Sequence, residues 1–325
     1  MAETPRIDGR IDLDKPRWQQ NSYIGRAKHF FSVTDPRNVL LRGSQLDQAK
    51  VLLQKYREHK EPVGTTDEQV FAAKKMYESA FHPETQQKMF LPGRMSFQVP
   101  GNMTITGLMM TYYRTTPAVL FWQWVNQSFN AIVNYTNRSG KSDISESVLL
   151  KSYVAASTCA VGVAVGLNKA TSKLSPLVGR FVPFAAVAAA NCVNIPMMRQ
   201  SELIEGIDVL NENGEVVGQS KAAARSAITQ VVLSRVLMAT PGMALTPVVM
   251  NTLDTKTKLF KNRAWLAAPV QVGIIGFILT FATPLACALF EQNSSIAVSN
   301  VEEEIKQKLV ESKSTAKYLT FNKGL

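Results

Sequence analysis

The chain has 325 residues, of which 36 are Lys or Arg and 25 are Asp or Glu, giving a formal net charge of +11. It is 46% hydrophobic but only 19% charged, against roughly 25% charged in ordinary soluble domains. High apolar content excludes disorder, the lack of a glycine period excludes collagen, and three cysteines exclude a disulfide-stapled scaffold. The charge is also uneven, with a charged front third, a charge-poor middle and a short charged tail.

Residues 1–98 read as a soluble helical region. Asp35 followed by Pro36 has the chemistry of a helix start. Ser44 with Asp47 opens a segment that carries Leu46, Leu53 and Tyr56 on one stripe. Thr65 with Glu68 forms a capping box, after which Val70, Ala73, Tyr77 and Ala80 share a face; Pro83 stops that helix at His82. These apolar faces are expected to pack on one another.

Residues 99–290 read as a membrane region of about five spans, so the fold class is all-α and multi-pass. Leu266–Phe290 has no charge over 25 residues, about 37 Å as a helix, which crosses a ~30 Å hydrocarbon core with tilt. Gly273 and Gly276 on it admit a close neighbour. The other spans fall within 99–133, 151–169, 174–198 and 227–250. Arg114 divides 99–133, so either half can be the span. Arg180 and Arg235 interrupt two others, and each costs about 2.5–3.5 kcal/mol at mid-membrane unless it faces a partner or a wet cavity.

Five crossings put the termini on opposite sides. Lys88, Arg94, Lys169, Lys173, Lys256, Lys258, Lys261 and Arg263 then outnumber Arg138, Lys141, Arg199, Lys221 and Arg225, which places the N-terminus on the positive-inside face. Between the third and fourth spans, Asn213-Gly214 within Ile207–Val217 signals a hairpin. In the tail, 291–325, Ser299 with Glu302 caps a short amphipathic helix carrying Val301, Ile305 and Leu309.

The chemistry-bearing residues lie inside apolar segments. The three histidines and three cysteines have no ligand spacing, and no nucleotide, nucleophile-elbow or cofactor motif is present. No metal, cofactor or enzymatic activity is therefore expected. The basic residues are interleaved with acids, which points to a lipid-facing or solvated surface and not to nucleic acid. Buried amides and hydroxyls in lipid pair with each other or line a path. The residues assigned to a substrate site are Asn102, Thr104, Arg180, Asn191, Asn194, Arg235 and Gln271. Arginine or the N-terminus of a broken helix would take a carboxylate, and amides would take an ammonium or hydroxyl.

Several motifs resemble the sideroflexin family. They include His82-Pro83-Glu84-Thr85, Asn102-Met103-Thr104-Ile105-Thr106-Gly107, Tyr113-Arg114-Thr115-Thr116-Pro117, Asn191-Cys192-Val193-Asn194-Ile195-Pro196 and the ending Phe321-Asn322-Lys323-Gly324-Leu325. The resemblance runs from Pro16-Arg17-Trp18 onward, with departures at Phe97, Gly101 and Glu84-Thr85-Gln86-Gln87. It implies a multi-pass protein of the mitochondrial inner membrane with five spans; the positive-inside count then puts the N-terminus in the matrix. It implies transport of serine, with alanine and other small neutral amino acids as further substrates, feeding one-carbon metabolism. A carrier of tricarboxylates such as citrate, or a non-transporting membrane scaffold linked to iron homeostasis, is the rival reading. Membrane lipid is the other expected partner.

Overall fold

The computed structural model describes residues 5–82, 85–113, 115–137, 146–171, 181–258, 260, 263–311 and 316–324. The N-terminal region opens with a two-stranded ribbon, β1 (Arg6–Ile7) and β2 (Arg10–Ile11), followed by α1 (Tyr23–Val33), α2 (Gly43–Arg57) and α3 (Asp67–Ala80). The apolar stripes pair as expected: Ala49, Leu53 and Tyr56 of α2 close on Val70 and Ala73 of α3. The caps differ by a residue or two. Thr66, not Thr65, caps α3 and pairs reciprocally with Gln69, while Thr65 turns its hydroxyl to the Pro62 carbonyl. Two adjacent threonines compete there, and the one followed by Gln at the third position closes a box from both sides. Likewise α2 begins at Gly43, where the Gln45 side chain accepts from the Arg42 N–H. Asp35 does cap a turn, but a short 3-10 one, Pro36–Leu40.

The bundle consists of α4 (Gln98–Tyr112), α5 (Thr116–Thr136), α6 (Glu146–Thr171), α7 (Val182–Met198), α9 (Lys221–Thr257) and α10 (Ala267–Cys287); a short α8 (Gln200–Glu205) follows α7. Three of them, α6, α9 and α10, are long and apolar enough to cross a membrane, and α7 is a shorter apolar helix. Small residues set the closest approaches. Ala156, Ala160 and Ala164 lie fully buried on one face of α6, and Ala164 packs on Val182 and Ala186 of α7. A Cβ on Gly107 of α4 would fall 2.5 Å from Val272 Cγ2, and one on Gly276 of α10 2.7 Å from Met103 Sδ. Gly273, expected to share that role, faces open space.

The stretch 99–133 supplies two helices, not one. Gln123 Nε2 donates to Tyr113 Oη at 2.8 Å near the turn, and Asn137 Nδ2 donates to the Gly93 carbonyl at 2.7 Å at the other end, so α4 and α5 run antiparallel. Thr115 caps α5, whose first turn holds Pro117, and this start signal beside Arg114 folds the chain back. At about 22 Å, α4 is short, whereas α5 reaches about 31 Å. The extra helix has a topological consequence. Val99 packs beside Ile275 and Leu279, toward the C-terminal half of α10, and α1 lies along that half. The N-terminal region and the tail thus share one end of the bundle, where five crossings would have separated them. Lys88 and Arg94 move to the end that holds Arg199, Lys221 and Arg225, and among the described residues the basic excess on the N-terminal side narrows to these five against Lys169, Lys256, Lys258 and Arg263.

At that end the loop after α8 and the tail make one small unit. Strands β3 (Ile207–Leu210), β4 (Val216–Ser220), β5 (Asn293–Ala297) and β6 (Tyr318–Asn322) form an antiparallel sheet in the order β4-β3-β6-β5. The expected hairpin is β3–β4, with Gly214 at φ 80° in its turn. Ile305 and Leu309 of α11 (Glu303–Glu311), with Val301 just before it, bury against Val209, Leu319 and Phe321 and the start of α9 at Ala223 and Ala227. Glu302 Oε1 accepts from the N–H groups of Lys221 at 2.9 Å and Ala222 at 3.0 Å, so a tail carboxylate caps α9. Ser299, expected to cap the tail helix, instead bonds Asn300.

Candidate functional site

Midway along α5 and α7 the bundle encloses a cavity of about 50 Å³, several times the roughly 10–15 Å³ that one water needs. Five helices line it: Asn102 and Thr106 from α4, Asn126 and Asn130 from α5, Asn191 from α7, Arg235 from α9, and Thr283 from α10. Val187, Met243, Ile275 and Leu279 are among its apolar wall. A larger groove of about 760 Å³ lies elsewhere, between the N-terminal region and α10, and holds none of the expected site residues.

Of the residues assigned from sequence, Asn102, Asn191 and Arg235 converge on the cavity although they come from three helices and span more than 130 positions. Asn194 and Gln271 are buried but lie outside its lining. Thr104 faces outward, with its hydroxyl on the Pro100 carbonyl at 2.9 Å. Arg180 lies outside the described residues. No broken helix contributes: α9 runs unbroken through Pro241 and Pro247, and α7 through Pro196. Long helices absorb these prolines because flanking turns and neighbouring helices hold the axis, at the cost of one backbone bond each.

Asn126, Asn130, Thr106 and Thr283 were missed. The signal for the first two is present in the sequence. Gln123, Asn126, Gln127 and Asn130 fall at spacings of three and four on α5, a polar stripe on an otherwise apolar helix. Gln123 is fully buried, and Asn126 and Gln127 are 3% exposed. Such a stripe in lipid has to face inward.

The electrostatics are one-sided. Arg235 is the only charged residue in the described lining, and it makes no hydrogen bond or ion pair with a described residue. Asn191 and Asn102 spend their Nδ2 groups on the Val187 and Gln98 carbonyls, at 3.1 and 2.8 Å, which leaves their Oδ1 atoms as acceptors. The Asn126 Nδ2 is buried with no partner among the described residues, as is the Gln127 Nε2. The lining therefore offers a fixed cation, an unspent amide donor and several acceptors. It contains no carboxylate, histidine or cysteine. Among the described residues no group of His, Cys, Asp or Glu has the composition to hold a metal ion.

Comparison with known proteins completes the description. The family model described as sideroflexins matches residues 12–325. The chain is 59% identical to Sideroflexin-1 of Ovis aries over 315 residues, 97% of this chain and 98% of that protein. It is 58% identical to Sideroflexin-1 of Homo sapiens over the same share of each. It is 56% identical to Sideroflexin-3 of Homo sapiens over the full length of both. No solved structure matches the chain.

Proposed function

The chain belongs to the sideroflexin family, and on that premise we propose that it carries serine and related small neutral amino acids across the mitochondrial inner membrane, supporting one-carbon metabolism. The observation that carries this reading is the single Arg235, without an ion pair among the described residues, set among amides in the mid-bundle cavity. A zwitterion fits such a lining. Its carboxylate pairs with the guanidinium, and its ammonium is held by the Oδ1 atoms of Asn102 and Asn191 and by Thr106 or Thr283. The serine hydroxyl finds a further amide, which favours serine over alanine.

Charge decides against the rival solute. A bound zwitterion leaves the Arg235 site at net +1, and its own charges cancel. Citrate brings three negative charges to one cation, and each unpaired ion costs several kcal/mol on leaving water. A cation, an amide donor and several acceptors suit the holding of a solute, which supports transport.

The test is uptake of labelled serine into liposomes containing the purified full chain. Saturable uptake suppressed by excess unlabelled serine, weakly by alanine and not by citrate supports the proposal. Suppression by citrate moves the assignment to carboxylates, and absence of flux favours the scaffold reading.

A further inference from the structure

The 760 Å³ groove between α1, α3 and α10 is lined on one side by charge and on the other by rings. Its floor is where α1 rests on the outer face of α10, with Phe31 and Phe281 in edge contact at 6.2 Å between ring centres. Outward from that contact, Phe277 and Phe281 of α10 are 70% and 47% exposed, on a helix apolar enough to cross a membrane. The groove thus opens where a lipid-facing helix surface meets the charged N-terminal region.

The groove's cations divide into spent and unspent. Asp35 binds both Arg37 at 2.8 Å and Lys75 at 2.6 Å. Lys74 is buried, donates to the Leu13 carbonyl at 2.8 Å and lies 3.6 Å from Glu78. Among the described residues Arg17 and Lys28 make no ion pair, and of the acids in the lining Glu68 alone has none. Arg17 is held by two rings, its guanidinium 4.2 Å from the centre of Phe71 and 5.4 Å from that of Trp18. That stacking fixes the fork while leaving its N–H edge free for an anion.

We propose that this groove binds the phosphodiester headgroup of an anionic phospholipid, with Arg17 and Lys28 on the phosphate and the acyl chains along Phe281 and Phe277. Arginine presents paired donors that match phosphate oxygens, and basic pockets beside spanning helices have this chemistry toward lipid headgroups. The groove is also large enough for a headgroup, which the mid-bundle cavity is not. The inference does not depend on the transported solute.

The test measures thermal unfolding of the full chain in neutral detergent, with added diacyl phosphatidylglycerol, phosphatidylcholine or soluble glycerol phosphate. Phosphatidylglycerol is expected to raise the midpoint progressively with its concentration, and phosphatidylcholine is not. Arg17→Gln with Lys28→Gln is expected to weaken the apparent lipid affinity about tenfold or more. Lys28→Glu alone, at an exposed position that spares the ring stacking, is expected to weaken it as well. A double Lys256→Gln, Arg263→Gln variant at the opposite end of the bundle keeps the wild-type response. An equal response in all variants, an equal effect of phosphatidylcholine, or reproduction of the shift by soluble glycerol phosphate would overturn the proposal.

Discussion

Arg26 donates from Nε to the carbonyl oxygen of Ala288 at 2.8 Å, and its Nη1 reaches Glu291 at 3.0 Å. The guanidinium is buried at the junction, so the first helix of the chain is fastened to the end of the last spanning helix. Arg26 takes the carbonyl of Ala288, the C-cap of α10, and Tyr23 Oη takes that of Leu285, both among the helix-end carbonyls that have no helical donor of their own.

The fastening predicts the topology. Cysteines introduced singly at Asp8 and Glu304, with the three native cysteines replaced, should react with an impermeant maleimide from the same face of sealed native membrane vesicles. A cysteine at Lys258, beyond the far end of α9, should react only from the opposite face. Labelling of Asp8 and Glu304 positions from opposite faces would show that α4 and α5 do not both traverse.

The two glycines of α10 should respond in opposite ways to the same change, and Gly107 on α4 should behave like Gly276. Gly107→Ala forces a methyl into the Val272 backbone and side chain, and should cost about 1–3 kcal/mol in detergent unfolding. Gly276→Ala meets only the flexible end of Met103 and should cost less. Gly273→Ala meets nothing and should be neutral or stabilising by a few tenths of a kcal/mol, because it removes backbone freedom from the unfolded chain.

Acid should loosen the N-terminal region through His29. Burial, aided by the nearby Lys74 charge, lowers its pKa from 6.5 to about 4. Between those values the unfolded chain holds a proton that the folded chain does not. The stability contribution is therefore complete above pH 6.5 and is lost as pH falls toward 4. Glu78 works in the opposite sense, since burial raises its pKa and the folded chain takes up that proton first. His29→Gln should flatten the fall between pH 6.5 and 4, read by unfolding at each pH. An unchanged profile would remove His29 from the account.

Asn126 separates a structural from a functional role. Its Nδ2 is buried without a partner among the described residues, which costs about 1–3 kcal/mol. Asn126→Leu should leave unfolding unchanged or raise the midpoint, while serine uptake falls. A drop in both together would mark Asn126 as a packing residue.

How far these features were legible depended on the range of the interactions that make them. Val301, Ile305 and Leu309 announce a helix face by local spacing, and all three are buried. Asn213-Gly214 announces a hairpin by local turn chemistry. The partner strands 293–297 and 318–322 carry no such mark, because pairing Leu210 with Thr320 is decided by a contact 110 residues away. The cavity was half legible. Arg235, Asn191 and Asn102 stand out as polar residues in apolar runs, whereas Thr104 and Thr106 differ only by the helix face they occupy. Helix phase within a short segment flanked by Pro100 and Arg114 is set by packing on α10, which the local pattern does not encode. Phe97 and Gly101 meet in space: a Cβ at Gly101 would fall 2.5 Å from the Phe129 ring, which also stands 6.2 Å from the Phe97 ring.

The cavity account is tested most directly by serine uptake at matched reconstituted amounts of wild type and Arg235→Gln. A charge-assisted contact to a carboxylate contributes about 1.5–3 kcal/mol, so the substitution should raise the half-saturating serine concentration about tenfold or more, with the unfolding midpoint retained. Serine uptake by Arg235→Gln equal to wild type would contradict the assignment.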